Sequence, residues 1–189
     1  VRRLVLLAGW AGPDPRHEQF MRLWRRLADI DDRAYGEFLV LTLFSPQFVA
    51  ALGDGVDDAV RGTVPHAGTS RQIELNTTID IRSLAPRITA PTLLVAGTSD
   101  AIVPAEKVQE LAQLIVGSTY AEVDSGHMLL VEQPDTLILD SAQSPFEIER
   151  GERDFVHGHA GQPGPPHPTP GVLGPHATQR VLVSPTSHV

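Results

Sequence analysis

The sequence contains no cysteine, which excludes disulfide bonds and thiolate zinc sites and favours an intracellular, reducing environment. It has no run of basic residues, and its 23 acidic residues outnumber 15 Lys and Arg, so nucleic acid is not an expected partner. No apolar run is long enough to cross a membrane, and no signal-peptide pattern follows Arg2 and Arg3. We therefore expect a cytoplasmic protein that binds neither nucleic acid nor membranes.

The first part of the chain combines one strand pattern with several helix patterns. Residues 4–8 form a continuous apolar run closed by Gly9, which is typical of a strand buried on both faces in a parallel sheet. Asp14 and Pro15 then predict a helix start, because Asp is a preferred N-cap and Pro fits the first helical position. Later apolar spacings of three and four residues predict that residues 13–85 form a layer of short helices.

The middle of the chain has the pattern of a strand, a helix and a second strand. Apolar runs at residues 92–96 and 119–123 predict the two strands. Between them, Pro104 marks the start of a helical pattern and Gly117 marks its end. This arrangement predicts a βαβ unit with parallel pairing, and a further helix is predicted to begin at Pro134.

Residues 141–189 are rich in proline, glycine and histidine, and from residue 156 they are predicted to be disordered. Proline interrupts helices, and few apolar residues are present to offset the entropy cost of ordering the chain. We predict no metal site in this tail, because the spacing of its histidines is irregular: His157, His159, His167, His176 and His188. One hypothesis is that the sequence after about residue 140 derives from a shifted reading frame.

Two residues with acid–base chemistry follow the predicted strands of the βαβ unit. Asp100 follows the strand at residues 92–96, and His127 follows the strand at residues 119–123. Functional side chains gather beyond the carboxyl ends of parallel strands, so we expect these two side chains to meet. An acid beside a histidine fixes the tautomer of the ring and stabilises its cation. The sequence therefore predicts an acid–base pair.

Other interpretations of these residues are open. Asp100 is also suited to capping the turn that follows it, and His127 to a structural role in a loop. Asp14 is a rival acid because it follows the first predicted strand, although it has a capping role of its own. Asp124 is interpreted as a turn residue.

Three motifs give the chain a resemblance to the C-terminal part of the α/β-hydrolase family: Gly97-x-x-Asp100-x-x-x-Pro104, Gly126-His127 and Glu132-x-Pro134. The resemblance covers residues 1 to about 140. It implies that residues 4–8, 92–96 and 119–123 are strands six, seven and eight of that fold. It also implies that residues 13–85 are a helical cap, or lid, inserted after strand six.

The resemblance thus implies a partial α/β-hydrolase with three parallel strands. Residues 1–12 and 86–140 would form its core and residues 13–85 its cap, and residues 141–189 would be the disordered tail. The strand at residues 4–8 would then be a bare edge of the sheet. We expect the chain to be a fragment that folds poorly alone or needs a partner.

The resemblance also implies a chemistry and roles for particular residues. His127 would be the general base and Asp100 the acid that orients it, and Trp10 and Met128 are candidates for lining a substrate cavity. The implied activity is hydrolysis of a small ester, lactone or related carbonyl compound by a Ser-His-Asp mechanism, without a cofactor. The partner of such an enzyme is a small-molecule substrate.

The sequence departs from the family pattern at the nucleophile. The family's serine lies in a G-x-S-x-G elbow ahead of strand six, and no serine in residues 1–189 has that setting. The oxyanion donors would be missing as well, so activity of the chain alone is left open. The alternatives are a haloperoxidase-like or epoxide hydrolase-like enzyme within the same fold, and a non-catalytic remnant or interaction module that associates through its sheet edge.

Overall fold

A computed structural model describes residues 2–137 and 182–185 of the chain. Its sheet has the strand order β1-β2-β3-β4, and the strands are β1 at Leu4–Leu7, β2 at Thr92–Gly97, β3 at Thr119–Val123 and β4 at Leu182–Pro185. The first three strands are parallel. This confirms the predicted α/β fold with three parallel strands.

The fourth strand corrects the expectation of disorder for four residues of the tail. Leu182–Pro185 pairs antiparallel with β3, with Thr119 opposite Pro185 and Glu122 opposite Leu182. The outer edge of β3 offers backbone N–H and C=O groups that a further strand can pair. The other residues of the segment 141–189, including its histidines, lie outside the described residues.

Five α-helices connect β1 to β2, and we call them the helical layer: α1 (Pro15–Ile30), α2 (Asp32–Leu43), α3 (Pro46–Leu52), α4 (Val56–Gly62) and α5 (Thr69–Thr78). Side-chain caps begin the first three helices. Asp14 accepts a hydrogen bond from the His17 N–H at 2.7 Å, Asp31 caps α2, and Ser45 caps α3. The helix start predicted at Asp14 and Pro15 therefore occurs as expected.

Aromatic rings hold the first two helices of the layer together. The Phe20 ring of α1 lies 4.9 Å from the Phe38 ring of α2 and 6.5 Å from the Trp24 ring, measured between centroids. These are ordinary distances for packed aromatic pairs. The helix-spaced aromatic residues therefore pack inside the helical layer.

The βαβ unit follows the prediction closely. Helix α6 spans Ala105–Leu114 after Pro104, and Gly117 has a φ of 76°, the left-handed conformation that glycine adopts easily. Every residue of β2 is buried, and α6 covers the sheet with Val108, Leu111 and Ala112. The core of the protein therefore lies around β2.

One sequence expectation needs correction. The strand β1 is not buried on both faces, since Val5 is 36% exposed, because β1 is the edge strand of the described sheet. A short helix that the sequence did not predict, α7, spans Leu129–Glu132. Residues 134–137, where a further helix is predicted to begin, form a turn, and the rest of that predicted helix lies outside the described residues. A residue that precedes proline disfavours helical geometry, which ends α7 before Pro134.

The loop after β3 packs directly on the backbone at the end of β2. We call residues 124–128 the histidine loop. A Cβ atom at Gly97 would collide with the carbonyl oxygens of Ser125 and Gly126. Glycine at position 97 therefore allows the ends of the two strands to approach each other.

None of the helices within residues 2–137 has both the length and the apolar character that crossing a membrane requires.

Replacing Gly97 with alanine is expected to destabilise the protein by about 1–3 kcal/mol, because the added methyl group has to displace two backbone carbonyls. Gly62 is the matched control, since nothing lies within 4 Å of its Cβ position and alanine favours a helix. Urea unfolding of Gly97→Ala and Gly62→Ala measures the difference. Equal stability of the two variants would contradict the close approach.

Candidate active site

The structure brings Asp100 and His127 together at the carboxyl ends of β2 and β3. The Nδ1 atom of His127 lies 2.8 Å from Oδ2 of Asp100. Because a carboxylate only accepts hydrogen bonds, the Nδ1–H of the ring is the donor. The two strands pair with Gly97 opposite Val123, so the residues that follow them begin at the same edge of the sheet.

The other carboxylate oxygen of Asp100 holds the turn before α6. Oδ1 accepts hydrogen bonds from the N–H groups of Ile102 and Val103, each at 2.8 Å. Asp100 therefore binds the turn with one oxygen and the His127 ring with the other. The Asp100 side chain is fully buried, with 0% exposure.

The His127 ring is oriented but remains accessible. Its side chain is 25% exposed, and among the described residues its second ring nitrogen, Nε2, has no hydrogen-bond partner. With Nδ1 protonated, Nε2 carries the free lone pair of a neutral imidazole. The arrangement can therefore accept a proton at Nε2 while the buried carboxylate stabilises the resulting cation.

Asp14, the rival acid, has other partners. Its Oδ2 lies 2.7 Å from the Lys107 Nζ, and its Oδ1 accepts the hydrogen bond from the His17 N–H. Lys107 also pairs with Glu110 at 3.0 Å. The hydrogen bond from Lys107 is the main reason that the pKa of Asp14 lies below its usual range, and the bond to Asp14 raises the pKa of Lys107. Asp14 therefore fastens α1 to α6.

Two residues are predicted to line a substrate cavity. Trp10 lines a cavity in the structure, and Met128 does not belong to the wall of that cavity. The cavity has a volume of about 180 Å³, and its wall includes Trp10, His17, Ile102 and Val103. His17, which the sequence did not indicate, is buried, lies in a tilted arrangement 5.1 Å from the Trp10 ring between centroids, and forms a hydrogen bond with the Asn76 carbonyl. The cavity thus adjoins the turn that Asp100 holds.

Glu132 is the second residue whose role the sequence did not reveal. It belongs to the Glu132-x-Pro134 motif, and its carboxylate contacts both the histidine loop and the helical layer. These contacts join residues that are 87 and 6 positions apart in the chain. A local sequence pattern gives no signal for such contacts.

Two buried serine hydroxyls are engaged in structural hydrogen bonds. The Ser45 hydroxyl accepts from the Phe48 N–H, and the Ser125 hydroxyl donates to the Gly126 carbonyl. Across the part of the chain that the structure describes, no three His, Asp or Glu side chains are grouped closely enough to hold a metal ion.

Comparisons with known proteins indicate one protein family. The family model for the alpha/beta hydrolase fold matches residues 33–134. A pyrrolizixenacetamide deacetylase from Xenorhabdus hominickii is 36% identical over 144 residues, which are 74% of this chain and 54% of that protein. The chain therefore spans about half the length of this curated relative.

Solved structures match at the level of the fold. An alpha/beta hydrolase from a Medee basin deep-sea metagenome library superposes with a TM-score of 0.64 and 22% identity, over 71% of this chain and 52% of that one. The enol-lactonase from Burkholderia xenovorans LB400 gives a TM-score of 0.62 and 24% identity over the same shares. These likenesses concern the fold alone.

Substituting Asp100 should separate its two roles. Asp100→Asn keeps an oxygen for the turn and should change stability little, whereas Asp100→Ala should lose about 1–3 kcal/mol because two backbone N–H groups lose their acceptor. Asp100→Asn should also shift the His127 proton from Nδ1 to Nε2, which the ¹⁵N chemical shifts of the ring report. An unchanged tautomer in Asp100→Asn would contradict the pair.

The Asp14–Lys107–Glu110 cluster should make stability depend on pH in the acidic range. The pKa values of both carboxyl groups are lowered by Lys107, so their stabilisation is present above their unfolded-state pKa values and is lost as pH falls through the folded-state values. Lys107→Met should therefore cost up to about 1 kcal/mol at pH 7. That cost should vanish at low pH.

Urea unfolding between pH 2 and 7 measures this dependence, from about two units below to about three units above the ordinary carboxyl pKa of about 4. Arg71→Met is the matched control, because Arg71 is exposed and removing it changes the net charge equally. If Lys107→Met costs the same at both ends of the range, the ion pairs are not responsible.

Proposed function

The chain belongs to the α/β-hydrolase fold family, and from this premise we propose that it supplies the acid–base half of a site that hydrolyses a small amide or ester. The observation that carries the proposal is the 2.8 Å contact between the His127 Nδ1 and the buried Asp100 carboxylate. A histidine held in this tautomer by a buried acid is the general base of acyl-transfer hydrolases.

In this proposal His127 moves the proton at Nε2. It takes the proton of a serine hydroxyl as the hydroxyl attacks the substrate carbonyl, and it then gives that proton to the leaving group. In the second half of the reaction it takes a proton from water, which attacks the acyl-enzyme, and returns that proton to the serine oxygen as the acyl–serine bond breaks and the acid leaves. Asp100 stabilises the imidazolium in both halves while it keeps the ring in place.

The nucleophile would come from residues outside 1–189. The sequence contains no G-x-S-x-G elbow, and the chain spans about half the length of its curated relative. β1 is an edge of the described sheet, so further strands can pair with it. We propose that a longer polypeptide adds those strands, and with them the serine and the oxyanion donors.

The helical layer would be the cap over the substrate. The wall of the cavity of about 180 Å³ includes His17 of α1 and Ile102 and Val103 of the Asp100 turn, so the helical layer and that turn both line it. A cavity of this size suits a compact acyl group such as acetyl. We place the acyl side of the substrate there.

The relative's chemistry favours an acetyl substrate. The deacetylase that is 36% identical over 74% of this chain is named for the removal of an acetyl group. We therefore propose acetamides and acetate esters as the substrate class, with the Ser-His-Asp mechanism common to both.

The test uses the protein expressed together with the coding sequence upstream of Val1. We expect a G-x-S-x-G motif there and hydrolysis of 4-nitrophenyl acetate and of an aryl acetamide. His127→Ala should lower kcat/KM by about 10²–10⁴-fold, the usual contribution of a general base. His66→Ala is the control, because His66 is an exposed histidine in the segment between α4 and α5.

Two results would overturn this proposal. The first is the absence of the motif upstream together with no hydrolysis of either substrate, which would favour an interaction module. The second is hydrolysis that His127→Ala and His66→Ala leave equally intact.

A further inference from the structure

We propose that Glu132 is a positioning residue for His127, which couples the histidine loop to the helical layer. The inference rests on the proposed role of His127 as the general base. Among the described residues, Glu132 itself makes no hydrogen bond to the ring. It acts on the backbone on the N-terminal side of His127 and on residues 43–45, which join α2 to α3 and which we call the α2–α3 turn.

One oxygen of Glu132 binds both segments. Its Oε1 accepts hydrogen bonds from the Gly126 N–H at 3.0 Å and from the Ser45 N–H at 3.1 Å. Gly126 immediately precedes His127, and Ser45 is the N-cap of α3. The carboxylate therefore supplies a shared acceptor for two backbone donors that lie far apart in the sequence. Hydrogen bonds from backbone N–H groups to a carboxylate are among the stronger kinds.

A second contact holds the C-terminal side of His127. The Met128 N–H donates to the Leu43 carbonyl at 3.0 Å. The residues before and after His127 are thus both tied to the α2–α3 turn, one through Glu132 and one directly. The backbone of His127 cannot shift relative to the helical layer without breaking one of these bonds.

The two segments are also in direct backbone contact. A Cβ atom at Gly126 would lie 2.6 Å from the carbonyl carbon of Phe44 and from the Ser45 nitrogen. There is no space for another side chain between them at this point. The acceptor for the Gly126 and Ser45 N–H groups must therefore reach in from one side, as Glu132 does.

The short helix α7 delivers this acceptor. Glu132 is its last residue, and its N–H donates to the Met128 carbonyl, so the chain turns back toward the loop that it has just left. The hydrogen bond from the Gly126 N–H to the Glu132 carboxylate thereby joins the two ends of the segment 126–132. A shift of the α2–α3 turn would be passed to Gly126 through this single side chain.

Hydrogen exchange of the complete protein, expressed together with the coding sequence upstream of Val1, tests the contact without any need for activity. In the wild type, the Gly126 and Ser45 amides should be protected. Glu132→Ala should speed exchange at both amides, and at the His127 Nδ1–H, by about tenfold or more. Glu132→Gln should retain most of the protection, because its amide oxygen still accepts both hydrogen bonds. The Leu94 amide in β2 reports on the fold as a whole and should not change.

Glu37→Ala is the matched control, because it removes an exposed carboxylate from the same helical layer, where Glu37 pairs only with Arg33 among the described residues. If Glu132→Ala does not fold, Glu132→Asp provides the test. Its shorter side chain should lose protection at Gly126 or Ser45 while keeping the charge. Wild-type amides of Gly126 and Ser45 that exchange like exposed ones, or a Glu132→Ala variant that exchanges like the wild type, would overturn the inference.

Kinetics of the complete protein test the positioning role. Glu132→Ala should lower kcat by about 10²-fold with little change in KM, because a base displaced by about 1 Å loses near-attack geometry. Glu132→Gln should restore most of kcat. Failure of the complete wild-type protein to hydrolyse either substrate counts against the proposed function, while the exchange data still decide the Glu132 contact. An active protein whose kcat is unaffected by Glu132→Ala would overturn the positioning role.

Discussion

The carboxylate of Asp100 holds two backbone N–H groups with one oxygen and the His127 ring with the other. Because the first oxygen is fixed by the turn, the direction of the second is fixed as well, and the imidazole is oriented by a rigid group. The turn begins where β2 ends, and β2 is paired with β3 up to Gly97 and Val123. The geometry of the pair is therefore determined by the register of two buried strands.

The position of the helical layer depends on directional contacts at two separate points. On one side, Lys107 of α6 pairs with Asp14 at the start of α1. On the other, Glu132 and the Met128 N–H bind the α2–α3 turn. Apolar burial is not directional and does not by itself fix how a layer of helices is rotated on a sheet. The polar contacts at Asp14 and at the α2–α3 turn fix this rotation.

Local sequence patterns predicted the elements that depend on interactions between residues close together in the chain. The apolar runs located β2 and β3, the Asp14 cap located α1, and the strand ends located the acid–base pair. Contacts between distant segments left no such signal. Neither the Glu132–Ser45 bond nor the pairing of β4 with β3 follows from a period in the sequence, since both depend on the folded backbone. Helix α7 was not predicted because only four residues form it.

The two glycines at positions 97 and 126 have a consequence for how related sequences are compared. Each is required by backbone that passes too close for any side chain, and neither requirement involves a substrate. Identity at these positions across a family of enzymes therefore carries information about shared architecture and none about shared specificity. Under the proposed function, divergence in substrate preference is to be sought instead among side chains that line the cavity, such as Trp10 and His17.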